Sequence, residues 1–222
     1  MDKNSSPLPE PVEPGEGLSK TFAVSLCILL TALVVLLNAT NRGHGFTTET
    51  LRRAEVARAP RPIPDFALID ADGRSTTLRQ HLGTHQRVWI VDFVYTRCRT
   101  VCSSLGSVYQ QLQRQILARG LQGQVRLLSV SFDPANDDAV ALHDYAVRMG
   151  LKPEVWSVVT LASASDRQQL LDAFGIMVLP ARDGEFEHNA ALHLVDGRGR
   201  LVRILDYDAP GRALDAALAL DP

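Results

Sequence analysis

The sequence predicts an α/β protein in which a three-layer α/β/α domain with a mixed central sheet follows a single transmembrane helix. Three observations lead to this prediction. Residues 21–41 carry no charge, and 22–37 are nearly all aliphatic. Within 62–222, apolar segments typical of strands alternate with helical segments, which indicates βαβ crossovers. A last pair of strands encloses a tight turn and adds antiparallel pairing.

Residues 1–20 contain four prolines and three glutamates without apolar periodicity, so we expect a disordered tail. The uncharged run 21–41 rises about 1.5 Å per residue as a helix and so spans a hydrocarbon core of about 30 Å. A signal peptide is the alternative, but its apolar region is usually only about 7–15 residues long. We therefore expect a transmembrane anchor at 21–41, a juxtamembrane segment at 42–61 with a helix near 48–57, and a folded domain at 62–222.

The folded domain should open with a hairpin, because two short strands flank a turn with the sequence Asp-Ala-Asp-Gly. The next segment is rich in β-branched and aromatic residues, as in a buried central strand. The predicted elements in order are strands at Phe66–Ile69, Ser75–Leu78 and Val88–Tyr95, helix Thr100–Arg119, strand Val125–Phe132, helix Asp137–Met149, strand Val155–Thr160, helix Ser165–Phe174, strands Ala191–Val195 and Leu201–Leu205, and helix Gly211–Leu220.

The net charge and the cysteine count limit the classes of function that the chain can have. The formal net charge is -2 and there is no long basic run, which argues against a nucleic-acid partner. Cys27 lies in the uncharged run, so Cys98 and Cys102 are the two cysteines of the predicted folded domain. Two cysteines this close are too few for a disulfide-stapled scaffold and indicate redox or metal chemistry.

Cys98 and Cys102 follow the predicted central strand at the expected start of a helix. A helix N-terminus lowers the pKa of a thiol, and a spacing of four residues would place both sulfurs on one helix face. Such a pair suits a disulfide or a soft metal ion. The alternative is two ordinary helix cysteines.

Asp92 interrupts the same apolar strand six residues before Cys98. A buried carboxylate is costly without a partner or a task. It could be a proton acceptor for a thiol, or it could merely cap or pair near a sheet edge.

The strand–Cys-x-x-x-Cys–helix arrangement resembles the Sco (SenC) family of copper chaperones, which are themselves thioredoxin-like. The resemblance extends over the folded domain and includes segments 66–82, 95–102, 129–134 and 187–199. It implies a thioredoxin-like fold and a copper ion as cofactor. Carried over by position, the metal ligands are Cys98, Cys102 and His188.

Two departures from the family pattern concern the loops. Arg99 and Ser103 stand where the family commonly has prolines after the cysteines, and the turn at 196–199 lacks the family's proline. Because proline fixes φ, these changes should loosen the metal loop. Asp92 stands in the place of the buried aspartate that relays a proton in thioredoxins, which favours redox work.

The other histidines have structural interpretations. His193 lies five residues after His188, so a continuous strand would place it on the opposite side, packed against the sheet. We expect His81, His85 and His143 to be structural or exposed. Asp133 resembles a family position near the site, or it caps the loop before Pro134.

Three functions therefore remain open. The first is a membrane-anchored copper chaperone that binds Cu(I) for assembly of a haem–copper respiratory oxidase, whose copper-accepting subunit would be the partner. The second is a membrane-tethered thiol-disulfide oxidoreductase acting on another thiol protein, with Cys98 attacking and Cys102 resolving. A tethered redox sensor or adaptor without a substrate is a third, and enzyme activity stays open.

Both leading functions place the domain in the periplasm, on a single-pass anchor in the inner membrane. The charge count points the other way, because Lys3 and Lys20 precede the span while four arginines follow it, at positions 42, 52, 53 and 58. The tail is short and acidic, a weak determinant of orientation. The resemblance implies that the N-terminus lies inside.

Overall fold

The computed structural model describes residues 16–39, 48–83, 87–98, 101–181 and 185–220, with the backbone alone for 16–19, 39, 48 and 101–104. The chain forms two compact units, residues 1–52 and 53–222. The tail expected over 1–20 lies outside the described residues as far as 15, and residues 16–20 are helical.

Helix α1 (Glu16–Ala39) dominates the first unit. Its segment Lys20–Asn38 has a mean hydropathy of 2.4 and is long and apolar enough to cross a membrane. Two polar side chains on it bond to the carbonyl four residues earlier: Thr31 donates to Cys27 at 2.8 Å and Asn38 to Val34 at 2.9 Å. Polar groups satisfied in this way are less costly in an apolar surrounding. Helix α2 (Thr48–Arg58) lies where the juxtamembrane helix was expected and crosses the boundary between the units.

The second unit is built on an eight-stranded mixed sheet. Its strands are β1 (Arg61–Pro62), β2 (Ala67–Asp70), β3 (Ser75–Thr77), β4 (Val88–Val94), β5 (Val125–Ser131), β6 (Trp156–Leu161), β9 (Leu192–Val195) and β10 (Arg200–Leu205). Their order across the sheet is β1-β10-β9-β4-β5-β6-β2-β3. Strands β4, β5 and β6 are parallel to one another, and the other neighbours pair antiparallel. Strands β7 (Val178–Pro180) and β8 (Phe186–His188) form a separate two-stranded sheet.

Helices cover both faces of the large sheet. The described helices of this part are α3 (Leu78–Leu82), α4 (Val101–Ala118), α5 (Ala139–Met149), α6 (Arg167–Phe174) and α7 (Pro210–Leu218). Residues of α2, α3 and α6 join one apolar core, and residues of α4, α5 and α7 join the other. Since β4, β5 and β6 follow one another across the sheet, right-handed crossovers bring α4 and α5 to the same face. The predicted three-layer α/β/α architecture is confirmed.

Strand β4 shows how the sequence divides between the two cores. All seven of its residues are buried. Its odd-numbered residues Trp89, Val91 and Phe93 enter the first core, while Val88, Ile90 and Val94 enter the second. This alternation follows from the two-residue period of a strand. Asp92 belongs to the second series.

The short elements differ from the prediction. The strand expected to run to Leu78 ends at Thr77, which caps α3 instead. The Thr77 hydroxyl accepts from the backbone N–H of Gln80 at 3.2 Å, and the Gln80 side chain accepts from the N–H of Thr77 at 3.1 Å. This reciprocal pair is a capping box, a motif that the sequence T-x-x-Q already contained.

Candidate metal and redox site

Cys98 lies in the turn that follows β4. Its backbone N–H donates to the carbonyl of Tyr95 at 3.1 Å, and its half-buried side chain packs against the first core. Helix α4 begins only at Val101, so Cys98 precedes the helix. That both sulfurs share one face stays a prediction, because residues 99–100 and the side chain of Cys102 lie outside the described part of the chain. Cys102 is the second residue of α4, and its side chain lies outside the described part of the chain.

Asp137 fixes the turn that carries Cys98. Its fully buried carboxylate accepts from the Thr96 backbone N–H at 2.9 Å, from the Thr96 hydroxyl at 2.6 Å and from the Ser131 hydroxyl at 2.5 Å. Arg148 donates to the Thr96 carbonyl at 2.9 Å. Sequence reasoning had treated Asp137 only as the start of a helix. Two adjacent aspartates, Asp137 and Asp138, precede α5, and only Asp138 caps the helix. The additional carboxylate was the signal in the sequence that Asp137 has another role.

Asp133 connects this turn to the end of β5. It is buried, and its Oδ2 lies 3.1 Å from the Arg97 guanidinium, whose side chain is 53% exposed. Asn136 donates its amide to both carboxylate oxygens at 3.0 Å. Asp133 thus lies beside the Cys98 turn and also organises its own loop.

His188 is the last residue of β8. Its ring packs edge-on against Phe132, with 5.3 Å between centroids. Nδ1 lies 3.4 Å from the Asn189 carbonyl, while the buried Nε2 has no hydrogen-bond partner among the described residues. Burial lowers the pKa of His188, and the Asn189 carbonyl and the nearby Cys98 offset part of that effect. The lowered pKa favours the neutral imidazole, which is the form that binds metals.

Three aromatic side chains pack together beside the β7–β8 sheet, and one of them, Phe132, contacts His188. Tyr95, Phe132 and Phe186 contact one another with centroid distances of 5.4 to 5.7 Å. The Arg167 guanidinium lies over two of these rings, 4.8 Å from Phe186 and 5.6 Å from Phe132. This packing attaches the small β7–β8 sheet to the end of β4 that leads to Cys98.

Asp92 is buried in the middle of the sheet, between β5 and β9. Neither carboxylate oxygen has a hydrogen-bond partner in the described part of the chain. Burial raises the pKa of Asp92 to about 7, and the hydroxyls of Ser129 and Tyr109 offset part of this rise. Tyr109 donates to the Ile90 carbonyl at 2.9 Å, and the Ser129 Oγ accepts from Trp156 at 3.0 Å. A role as a cap or a pairing residue near a sheet edge is thereby excluded.

Asp92 and Cys98 lie on different sides of the sheet. Asp92 follows the alternation of β4 into the core that contains α4, whereas Cys98 packs against the other core. Cys102 is in the first turn of α4. Asp92 therefore lies in the same layer as the helix that carries Cys102, and not in the layer of Cys98.

His193 packs in the sheet as predicted. Its buried ring contacts Phe93 and Phe174 edge-on at 5.5 and 5.6 Å, and Nδ1 lies 3.3 Å from the Val91 carbonyl. The expectation that it lies opposite His188 required one continuous strand, and that condition is not met. The two histidines belong to different strands, β9 and β8, and both rings contact aromatic residues of the first core.

Of the remaining histidines, His81 and His143 are described, and no contact with Cys98 is found for either. His81 packs against Trp89 and burial lowers its pKa, His143 is exposed, and His85 lies outside the described residues. Among the described side chains, which exclude that of Cys102, no three His, Cys, Asp or Glu residues converge on one point. The described parts of the predicted ligand set are the half-buried Cys98 and the unpartnered Nε2 of His188 near it.

Comparison with known proteins gives the family. The SCO1/SenC family model matches residues 54–219. A SCO1 protein homolog of Bacillus subtilis (strain 168) is 28% identical over 148 residues, which are 66% of this chain and 73% of the relative.

Two solved structures have a similar fold. BsSco, described as a member of the Sco family of cytochrome c oxidase assembly proteins with a disulfide switch, is 25% identical with a TM-score of 0.60, over 73% of this chain and 96% of its own. Yeast Sco1 with copper bound is 18% identical with a TM-score of 0.59, over 73% and 92%. These similarities confirm the predicted thioredoxin-like fold and the resemblance noted in the sequence. The chain belongs to the SCO1/SenC family.

Proposed function

We propose that this protein is a membrane-anchored copper chaperone that binds Cu(I) through Cys98, Cys102 and His188. Its role is assembly of the copper centre of a haem–copper respiratory oxidase, with the copper-accepting subunit as partner. The ion is cargo that the protein receives and passes on. Relatives with this fold include yeast Sco1 with copper bound and BsSco, described as belonging to a family of cytochrome c oxidase assembly proteins.

One observation carries the proposal most directly. The Nε2 atom of His188 is buried and has no hydrogen-bond partner among the described residues, although an unmet buried nitrogen is costly. Cys98 lies near enough to influence the pKa of this imidazole. A thiolate and a neutral imidazole are ligands that suit a soft ion such as Cu(I). A bound ion would give Nε2 the partner it lacks.

The fold holds each of the three proposed metal ligands in a different way. Asp137, Arg148 and Asp133 fix the turn around Cys98. The edge-on contact with Phe132 limits rotation of the His188 ring. Cys102 belongs to a regular helix, so its backbone position is set by α4.

The test is a competition titration of the reduced protein against a Cu(I) chelator. The parent should bind one Cu(I), and His188→Ala should weaken binding by more than the 10- to 100-fold typical of losing a supporting residue of a metal ligand. His143→Ala, which changes an exposed histidine of α5, is the matched control and should leave the affinity unchanged. Equal affinities of His188→Ala and the parent would overturn the ligand assignment.

A thiol-disulfide oxidoreductase is the second candidate, and Asp92 favours it. In this reaction, the Cys98 thiolate attacks a partner disulfide and forms a mixed disulfide. Cys102 then loses its proton and attacks Cys98, which releases the reduced partner. A buried carboxylate with a pKa of about 7 is suited to accept that proton, and it lies in the layer that contains α4.

The two functions make different demands on the residues. Asp92→Asn should slow dithiol oxidation while leaving copper affinity nearly unchanged. His188→Ala should weaken copper binding while leaving dithiol oxidation nearly unchanged. Stopped-flow oxidation kinetics and the chelator titration on the same samples separate them. Retained disulfide exchange together with absent copper binding in the parent would favour the oxidoreductase.

We further propose that Lys20–Asn38 spans the inner membrane once and that the folded unit lies in the periplasm. The length and hydropathy of this segment support the span, whereas the arginines after it favour the opposite orientation. A C-terminal reporter that is active only outside the cytoplasm should be active. An inactive fusion, with an active cytoplasmic reporter at the same point, would reverse the orientation.

A further inference from the structure

Tyr95 connects the two parts of the site through one side chain. At its backbone, the carbonyl accepts from the N–H of Cys98 at 3.1 Å. At its other end, the hydroxyl donates to the Phe186 carbonyl at 3.3 Å and accepts from the Phe186 N–H at 3.2 Å. Phe186 lies two residues before His188 in β8. A single buried tyrosine therefore joins the turn of one proposed ligand to the strand of the other.

These two hydroxyl contacts connect β8 to the residue after β4, and among the described residues no strand pairing makes that connection. Strands β7 and β8 form their own sheet, and β8 pairs only with β7 in the described part of the chain. The Phe186 ring stands at 89° to the Tyr95 ring, so the same residue pair is fixed by packing as well as by hydrogen bonds. Tyr95 itself is 1% exposed and packs in the first core, which limits its freedom to move.

We propose that Tyr95 is a positioning residue that sets the separation between Cys98 and His188. This inference rests on the proposed function, since it matters only if both residues bind one ion. The hydroxyl holds the Phe186 peptide at a fixed distance from β4, and the next inward-facing residue of β8 is His188. Without the hydroxyl, the aromatic packing remains, but β8 loses its polar attachment to the Cys98 turn.

Tyr95→Phe is the direct test because it removes only the hydroxyl. Cu(I) affinity should fall about tenfold, the lower end of the range for residues that orient a metal ligand. The midpoint potential of the dithiol should stay at the parental value. Tyr145→Phe is the matched control, since it also removes a hydroxyl from a fully buried ring but in the opposite core, and it should leave copper affinity unchanged.

A double-mutant cycle shows whether Tyr95 acts through His188. In a His188→Ala background, Tyr95→Phe should cause no further loss of affinity. An equal loss in both backgrounds would overturn the inference, because Tyr95 would then act independently of the imidazole. No loss in the parental background would overturn it as well.

A measurement on the copper-free protein tests the contact itself. Amide hydrogen exchange at Phe186 should be faster in Tyr95→Phe than in the parent, while exchange at Phe93 in β4 should not change. Faster exchange at Phe186 with unaltered affinity would reject the positioning role yet leave the copper proposal intact. If His188→Ala alone leaves the affinity unchanged, the proposed function fails instead, so the two failures are distinguishable.

Discussion

The carboxylate of Asp137 holds Thr96 by two hydrogen bonds, one from the backbone N–H at 2.9 Å and one from the hydroxyl at 2.6 Å. Thr96 is two residues before Cys98. Asp137 follows β5 and is 41 positions further along the chain than Thr96. The reactive turn is therefore supported from the end of the neighbouring parallel strand. A buried acceptor that receives several donors is costly to replace.

Asp137→Asn should destabilise the protein by about 2 kcal/mol, because an amide group would face donors that now meet a carboxylate. The Cys98 turn should loosen, so Cu(I) affinity should also fall. Asp138→Asn is the control, since Asp138 caps α5 and asparagine caps a helix about as well. Urea unfolding and the chelator titration provide the two readouts. Indistinguishable results for the two variants would contradict this account of the turn.

Asp92 should make the free energy of unfolding depend on pH. Its pKa is about 7 in the folded protein and 3.8 in the unfolded reference. Below pH 3.8 both states are protonated and there is no penalty, and between about 4 and 7 folding increasingly disfavours the ionised form. The penalty is complete above about pH 7 and amounts to at most about 4 kcal/mol, at about 1.4 kcal/mol for each pKa unit.

Asp92→Asn should therefore be more stable than the parent at pH 7.5 and similar to it at pH 4. Unfolding curves in urea across this range measure the difference. Asp208→Asn, which changes an exposed aspartate, should keep the parental pH dependence. If the free energies of unfolding of Asp92→Asn and the parent change in parallel across this pH range, Asp92 ionises in the folded protein as easily as in the unfolded chain.

Cys98→Ser and Cys102→Ser should each abolish both Cu(I) binding and disulfide formation, because a hydroxyl is neither a soft ligand nor a redox partner. Cys27→Ser is the matched control, since Cys27 lies in the apolar segment of α1. Full-length protein in detergent should retain both activities after that change. Copper binding by either serine variant with parental affinity would remove that cysteine from the ligand set.

The folded domain proposed at 62–222 should fold without the anchor, but a fragment from 53 should be more stable. Val56 of α2 is 1% exposed and packs in the first core. Its loss should cost about 2 kcal/mol, the scale for burying an aliphatic side chain. Chemical unfolding of fragments 53–222 and 62–222 compares them, with Val56→Ala in the longer one to isolate the side chain. Equal stability of the two fragments would place the boundary at 62.

The long elements could be predicted from sequence because each buries its own apolar pattern. Strand β4 begins at Val88 as expected, and the pair β9–β10 encloses the expected turn. Strands β7 and β8 could not be predicted, since each has three residues and gains its place from contacts such as Tyr95 with Phe186. Periodicity cannot reveal a strand whose support comes from residues 91 positions away.

The candidate site was predicted in residue type more fully than in geometry. The thiols and His188 stand out as chemistry, but their local structure depends on where a turn ends and a helix begins. Asp137 escaped attention because two of its three donors belong to Thr96, which is distant in sequence. A carboxylate that serves a distant turn has the same local sequence as one that caps its own helix.

The separate β7–β8 sheet gives this part of the chain unusual freedom to diverge. One residue inserted at the start of β9 would move Leu192 and Leu194 from the second core to the opposite face of the sheet. An insertion between Pro180 and Phe186 would alter only the length of a connection, because the paired segments lie on either side of it. The length of the segment before His188 can therefore change while the register of the large sheet stays constant.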